Sequence, residues 1–172
     1  MSATHSHETR PDQDVPATYY QFMEAAVREL LIEKEILTAE DIRHAIEDMD
    51  SRTPERGAEV VARAWVDPEF KRRLLENAPA AVSELDIDLG PLNLVVVENT
   101  PEAHNLIVCT LCSCYPRFLL GLPPDWYKSR EYRSRSVREP RAVLREFGTE
   151  IPDNVPVRVH DSTADLRYLV LP

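Results

Sequence analysis

Three cysteines lie within six residues of one another, at Cys109, Cys112 and Cys114, and the chain has no other cysteine. A thiolate is a soft donor, so three of them at one point select a transition metal over magnesium or calcium. An odd number of clustered cysteines does not make a disulfide framework. The spacing therefore predicts a metal site built on this short loop.

The spacing alone leaves two kinds of metal site open. A structural zinc site needs a fourth ligand, and His104 or His160 is available for it, whereas an iron–sulfur cluster needs a further cysteine. In the other arrangement, the backbone nitrogens of Ser113 and Cys114 lose their protons and bind in one plane with two thiolates. This five-donor claw keeps a sixth position open and suits a low-spin trivalent ion.

The elements around the cysteines change in character at Gly90. Before it, apolar periodicity and start signals predict helices over 17–35, from Thr38 onward, over 54–65 and over 68–77, with a helical turn over 79–85. After it, the sequence predicts strands over 92–98 and 106–109, a helix over 139–147, and strands over 155–160 and 166–171 on either side of a turn at 161–163.

The expected fold class is α+β. We predict a disordered polar tail over residues 1–16, a helical N-terminal arm over 17–89, and a mixed α/β metal-binding domain over 90–172. Because the chain stops directly after an apolar strand, we expect the domain to lack its C-terminal end.

Composition excludes several function classes. The net charge of −10 argues against a nucleic-acid partner, and the basic cluster over 130–145 is interleaved with acidic residues, as in a solvated or subunit-facing surface. No apolar run has the length of a membrane span, and the polar N-terminus is unlike a secretory signal. We therefore expect no membrane association and a cytoplasmic location.

The run Val108-Cys-Thr-Leu-Cys-Ser-Cys-Tyr-Pro116 resembles the metal-binding signature of nitrile hydratase alpha subunits. Flanking motifs resemble the same family and stand in the same order: Val96-Val-Glu-Asn-Thr-Pro101, Gly121-Leu-Pro-Pro124, Trp126-Tyr-Lys-Ser129, Tyr132-Arg-Ser-Arg135, Val137-Arg-Glu-Pro-Arg141 and Arg167-Tyr-Leu-Val-Leu-Pro172. The resemblance covers most of the chain after Ala17.

This resemblance implies an enzyme that adds water across a nitrile to give an amide. The sulfurs of Cys109, Cys112 and Cys114 and the backbone nitrogens of Ser113 and Cys114 would hold the metal, which acts as a Lewis acid. Cys112 would be a sulfinate and Cys114 a sulfenate. The sulfenate oxygen of Cys114 would serve as nucleophile or base, and Ser113 would also donate a hydrogen bond near the substrate.

Several neighbours of the loop are expected in the outer shell of the site: Thr110, Tyr115, Arg117, Asp161 and Asp165. In the family, threonine at the position of Thr110 accompanies cobalt as Co3+, and serine accompanies Fe3+. The chain departs from the family at Arg117, where tryptophan is common, and at Gly90, where some members have a glutamine near the active site. Asp165 is shorter than the glutamate often found there.

Partners are also implied by the resemblance. A beta subunit, as one or two partner chains, would supply arginines to neutralise the oxidised sulfurs, since the sequence shows no obvious internal substitute. An activator or metallochaperone would insert the cobalt. Arg117 is compatible with the metal subunit of thiocyanate hydrolase, a related enzyme, and with a branch that hydrates the nucleoside nitrile toyocamycin. A non-enzymatic zinc-binding interaction module is the remaining alternative.

Overall fold

A computed structural model describes residues 18–172, so the polar tail predicted for residues 1–16 lies outside the described residues. The helices are α1 (Tyr19–Glu33), α2 (Ala39–Ser51), α3 (Glu55–Val66), α4 (Pro68–Glu76), α5 (Ala78–Ser83), α6 (Arg117–Leu120), α7 (Asp125–Lys128), α8 (Arg130–Arg138) and α9 (Pro140–Glu146). The strands are β1 (Asn93–Glu98), β2 (His104–Val108), β3 (Val157–Asp161) and β4 (Leu166–Leu171).

The described residues divide into two compact units, residues 18–46 and 47–172. In the first, α1 starts at a capping box in which Thr18 and Gln21 exchange backbone and side-chain hydrogen bonds. A similar exchange between Thr38 and Asp41 opens α2, as the sequence predicts. No residue of α1 is buried, and its apolar residues Tyr20 and Phe22 are 80% and 65% exposed.

In the second unit, short capped helices cover an apolar core. The Asp67 side chain accepts from the first backbone N–H groups of α4, and Asn77 does the same for α5. The buried residues of this core come from α3, α4, α5, α6 and two strands, and include Val60, Phe70, Leu74, Val82, Leu94, Val96, Leu119, Leu169 and Leu171. Burial of these side chains is the main stabilising contribution in this unit.

The strands form two parallel pairs. β1 pairs with β4, with Asn93 opposite Leu166, and β2 pairs with β3, with His104 opposite Val157. The two strands on either side of the turn at residues 161–163 therefore belong to different pairs. Parallel pairing brings the ends of β2 and β3 to the same edge, with Val108 opposite Asp161.

A second apolar cluster includes the last residue of β2. It contains the buried residues Val108, Tyr127, Tyr132 and Val143. Helix α8, which supplies Tyr132, is missing from the sequence predictions because it lacks an apolar stripe; only Tyr132 and Ser136 of its residues are buried.

The combination of helices and strands confirms the α+β class. The boundary between the compact units, however, falls between Ile46 and Glu47, whereas the predicted boundary between the helical arm and the metal-binding domain lies at residue 90. The difference arises because α3, α4 and α5 share their core with β1 and β4. Among residues 18–172, no helix combines the length and the apolar character needed to cross a membrane.

Candidate metal centre

The cysteine loop begins where β2 ends and is tied to the end of β3. The backbone N–H of Ser162 donates to the carbonyl of Val108 at 2.7 Å. Asp161, the residue before Ser162, accepts two hydrogen bonds from Thr110. Its Oδ1 accepts from the backbone N–H at 2.9 Å, and its Oδ2 accepts from the hydroxyl at 2.5 Å. Two residues 51 positions apart in sequence thus fix the direction in which the chain leaves Cys109.

The three sulfurs converge. The Sγ atoms of Cys109 and Cys112 lie 3.5 Å apart, those of Cys112 and Cys114 lie 3.2 Å apart, and all three lie within 4.8 Å of one another. The backbone N–H of Cys112 donates to the Cys109 sulfur at 3.3 Å, which curls the loop into a tight turn. Cys109 is fully buried, Cys114 is half-buried and Cys112 is exposed.

The sulfurs differ in their affinity for protons. Hydrogen bonds from the side chains of Cys114 and Cys109, and then from the backbone N–H groups of Ser113 and Cys114, lower the pKa of Cys112 to about 7. Burial, followed by hydrogen bonds to Cys112 and Cys109, raises the pKa of Cys114 to about 12. The charge of Arg167 acts in the opposite direction and lowers the pKa of Cys114. Without a metal, the cluster therefore has one thiolate-prone sulfur at its exposed edge.

Two tyrosine hydroxyls donate to backbone carbonyls in and next to the loop. The hydroxyl of Tyr127 donates to the carbonyl of Cys114 at 2.8 Å, and the hydroxyl of Tyr132 donates to the carbonyl of Ile107 at 2.7 Å. Tyr115 meets Tyr127 edge to face, with ring centroids 5.1 Å apart. Arg133 also bonds to the loop, because its guanidinium group donates to the carbonyl of Leu111 at 3.0 Å. Both ends of the cysteine run are thus bonded to helices α7 and α8.

A cavity of about 410 Å³ opens on the outer side of the loop. Its lining residues are Cys112, Ser113, Cys114, Tyr115, Leu92, Phe118, Arg52, Arg117 and Arg167. Three arginines therefore line a cavity that no Asp or Glu lines, in a chain with ten more acidic than basic residues. This size is within the range of small-molecule sites.

Two of the cavity's arginines are held by the fold. The guanidinium carbon of Arg52 lies 4.0 Å from the centre of the Phe118 ring, and the same side chain forms an ion pair with Asp48. Gly121 permits the close approach behind it: at φ +70, a β-carbon there would lie 2.5 Å from the Arg52 carbonyl oxygen. Arg167 donates to the carbonyl oxygens of Thr163, in the turn before β4, and of Leu166, the first residue of β4.

The sequence-predicted site residues fall into two groups. Cys109, Thr110, Cys112, Ser113 and Cys114 come together in the loop, where Asp161 contacts Thr110. Tyr115 and Arg117 line the cavity, and Arg117 is exposed.

The remaining outer-shell candidate lies elsewhere. Asp165 is exposed in the turn at the end of β3, where its backbone N–H donates to the Thr163 hydroxyl at 3.4 Å. Gly90 lies behind Phe118, whose ring comes within 3.3 Å of where a β-carbon of Gly90 would be. The structure therefore separates Asp161 from Asp165 by their contacts.

Neither histidine joins the sulfurs. Among residues 18–172, the cluster of possible metal ligands consists of the three cysteines alone. The Nε2 of His160 lies 2.9 Å from the Asn105 Oδ1, and the Asn105 amide nitrogen donates to Glu98 and Asn99, so His160 is the donor in that bond. A zinc site closed by His104 or His160 is therefore not formed in this arrangement.

Sequence reasoning missed four functional neighbours, namely Arg52, Tyr127, Tyr132 and Arg167. The two tyrosines and Arg167 stand in recognisable motifs, but no spacing indicates that they reach the loop. Arg52 is 60 positions before Cys112, and only the fold brings it to the cavity.

The donor set fits a transition metal. Three soft sulfurs lie together, and the backbone N–H groups of Ser113 and Cys114 contribute to the lowered pKa of Cys112. Sulfur and nitrogen donors can therefore face one ion from this loop. The open cavity on the same side leaves room for a small molecule beside it.

A cluster of three cysteine sulfurs that could hold a metal, at the edge of an α+β domain, suggests the class of protein, and comparison with known proteins specifies it. A sequence model described as nitrile hydratase, alpha chain, matches residues 18–172. The low-molecular weight cobalt-containing nitrile hydratase subunit alpha of Rhodococcus rhodochrous is 48% identical over 149 residues, which cover 86% of this chain and 72% of that protein. The cobalt-containing nitrile hydratase subunit alpha of Pseudonocardia thermophila is 49% identical over 150 residues, covering 86% and 74%.

A solved structure also matches. Recombinant thiocyanate hydrolase comprising partially modified cobalt centres superimposes with a TM-score of 0.86 at 40% identity, covering 91% of this chain and 77% of that one. The chain belongs to the nitrile hydratase alpha-chain family, whose members are enzyme subunits.

Proposed function

We propose that this chain is the metal-binding alpha subunit of a nitrile hydratase, which hydrates a nitrile to the corresponding amide. The observation that carries the proposal is the convergence of three sulfurs in one loop beside an open cavity. Family membership supports the same activity.

We further propose Co3+ as the metal, held by the sulfurs of Cys109, Cys112 and Cys114 and the backbone nitrogens of Ser113 and Cys114. Two relatives are named as cobalt-containing, and Thr110 stands at the position that distinguishes cobalt from iron members. When bound, the ion supplies Lewis acidity for the attack of water on the nitrile carbon.

The residues of the chain have separate tasks in this proposal. The oxidised Cys114, as a sulfenate, presents an oxygen that serves as nucleophile or takes the proton of the attacking water, and Cys112 is a sulfinate. Ser113 donates a hydrogen bond to the substrate, which its position in the cavity lining supports. Asp161 holds Thr110 and thereby the direction of the loop.

Partner chains complete the site in our proposal. The cavity is open to the surface, and α1 exposes apolar residues such as Tyr20 and Phe22 that suit contact with a beta subunit of one or two chains. An activator or metallochaperone loads the cobalt. Free cysteines are suited to a reducing compartment, so we propose a cytoplasmic location. The chain purified alone is then expected to turn over substrate weakly or not at all.

The test of this function is a set of assays on the chain co-produced with its partner subunits and activator. Small aliphatic nitriles, toyocamycin and thiocyanate are offered separately, and amide or ammonia is measured. Hydration of nitriles supports the proposal, and toyocamycin turnover would place the enzyme in the nucleoside nitrile branch. Turnover of thiocyanate alone would instead favour thiocyanate hydrolase, which Arg117 in the cavity and the structural match make the second candidate.

Metal analysis with intact-mass measurement distinguishes the non-enzymatic zinc module. Cobalt together with the mass of two added oxygens on Cys112 and one on Cys114 supports the enzyme. Zinc with three unmodified thiols in the fully assembled protein would contradict it.

A further inference from the structure

The cysteine loop concentrates negative charge that the chain must offset. Metal binding requires the thiolate form of each cysteine, so three negative sulfurs meet within 4.8 Å of one another. Cys109 is fully buried, where an uncompensated charge is costly. The sequence alone shows no obvious cation of this chain that compensates it, and the family resemblance implies that a partner subunit supplies arginines.

The cavity beside the loop contains three cations, and they differ in how firmly they are held. Arg117 is exposed. Arg52 is already in an ion pair with Asp48. Arg167 is half-buried. One of its two terminal nitrogens, Nη1, donates to the carbonyls of Thr163 and Leu166 rather than to a carboxylate. These hydrogen bonds hold the guanidinium group in place, but they do not neutralise its charge because carbonyl oxygens are uncharged.

One further donor of Arg167, its Nε–H, is unused. Its Nε–H is buried and has no hydrogen-bond partner among the residues that the structure describes. A buried donor without a partner is rare in proteins and costs free energy. Arg167 and the Cys112-Ser113-Cys114 segment line the same cavity, and no carboxylate lines it, so the sulfurs are the groups there that can become negative beside this cation.

We infer that Arg167 is a positioning residue of the metal centre, an internal counter-charge that stabilises the anionic sulfur cluster from within this chain. The inference rests on the proposed function, because it assigns the sulfurs a metal. It adds to the partner subunit's contribution a cation that the alpha chain itself provides before assembly.

The test is an anaerobic titration of the full-length metal-free chain with divalent cobalt, followed by the thiolate-to-metal charge-transfer absorption and by competition with a chelator. Arg167→Gln is expected to weaken the affinity about tenfold, as loss of an outer partner of a metal site commonly does. Arg167→Lys keeps the charge and is expected to stay within about threefold of the unchanged chain. Arg158→Gln, an exposed arginine on β3 outside the cavity lining, removes the same charge and is the matched control.

Several outcomes overturn the inference. Equal affinities for Arg167→Gln and Arg158→Gln would show that the charge near the loop has no role, and an Arg167→Lys variant as weak as Arg167→Gln would show that shape matters rather than charge. Urea unfolding of the metal-free variants, with Arg167→Met as a second neutral replacement, separates a folding role. Collapse of both neutral variants would assign Arg167 to the fold and contradict the inference.

Failure of the proposed function has a different signature. An unchanged chain that binds cobalt without the charge-transfer absorption of its three sulfurs would contradict the claw itself. A chain that shows this absorption, with no difference among the variants, would contradict the role of Arg167 alone.

Discussion

The two parallel strand pairs have the same geometry but serve different purposes. The β1–β4 pair contributes Leu94, Val96, Leu169 and Leu171 to the large apolar core. The β2–β3 pair ends at Val108 opposite Asp161, and from that edge the chain enters the cysteine loop. One pair thus supports the helices and the other directs the sulfurs, so stability and metal binding should be separable by substitution.

The largest effect is expected at the sulfurs. Cys112→Ala removes one of three soft ligands, so bound cobalt and nitrile turnover should fall to background. Metal analysis of the assembled protein measures this. Because Cys112 is exposed, urea unfolding of the metal-free chain should be nearly unchanged. Retention of one cobalt per chain in the Cys112→Ala variant would contradict the ligand assignment.

In the core against β1–β4, the effect should appear in stability instead. Phe70 is 1% exposed in that core, so Phe70→Ala is expected to cost about 3–5 kcal/mol of unfolding free energy. Leu75→Ala on the same helix replaces a residue that is 38% exposed and should cost about 1 kcal/mol or less. Urea unfolding compares them, and the folded fraction of both should bind cobalt. Similar losses from the two substitutions would contradict the described core.

The end of β3 gives a smaller and more specific effect. Asp161→Asn weakens the paired bonds to Thr110, and we expect about a tenfold loss of metal affinity, with the fold intact. Asp165→Asn, in the adjacent turn, should have little effect, since Asp165 contacts Thr163 and not the loop. Chelator competition measures both. A larger effect from Asp165→Asn would reverse the assignment of the outer shell.

The smallest effect is a difference in reactivity within the loop of the metal-free chain. With a pKa lowered to about 7, Cys112 is a thiol below that pH and becomes a thiolate above it. Cys114, with a pKa raised to about 12, stays a thiol over the neutral range. Iodoacetamide should therefore modify Cys112 first, with a half-maximal rate near pH 7, as peptide mapping can measure. Equal rates at both sulfurs would show that the pKa values are not separated.

The sequence predicts the first group of site residues because they are local. Cys109, Cys112 and Cys114 lie in one loop, and the motif places Ser113 between two of them. The strands and most helices also follow from periodicity and start signals, as at Thr38 and Asp41. Local pattern is sufficient where neighbours in sequence are neighbours in space.

The second group could not be predicted because its contacts are long-range. Tyr127 and Tyr132 reach backbone carbonyls 13 and 25 positions away, and Arg52 and Arg167 approach the loop only after the strands pair. Helix α8 was missed for a related reason: it packs through Tyr132 and Ser136 rather than through a repeated apolar stripe. The sequence also could not separate Asp161 from Asp165, since that depends on the register of β3 against β2.

The central claim is that one loop holds a trivalent cobalt ion through three sulfurs and two backbone nitrogens. Diffraction at the cobalt absorption edge, from crystals of the assembled protein, tests it most directly because it identifies the ion and its ligands together. We predict cobalt bound by Cys109, Cys112 and Cys114 and by the nitrogens of Ser113 and Cys114. A tetrahedral zinc ion with a fourth side-chain ligand and no backbone nitrogen would contradict the claim.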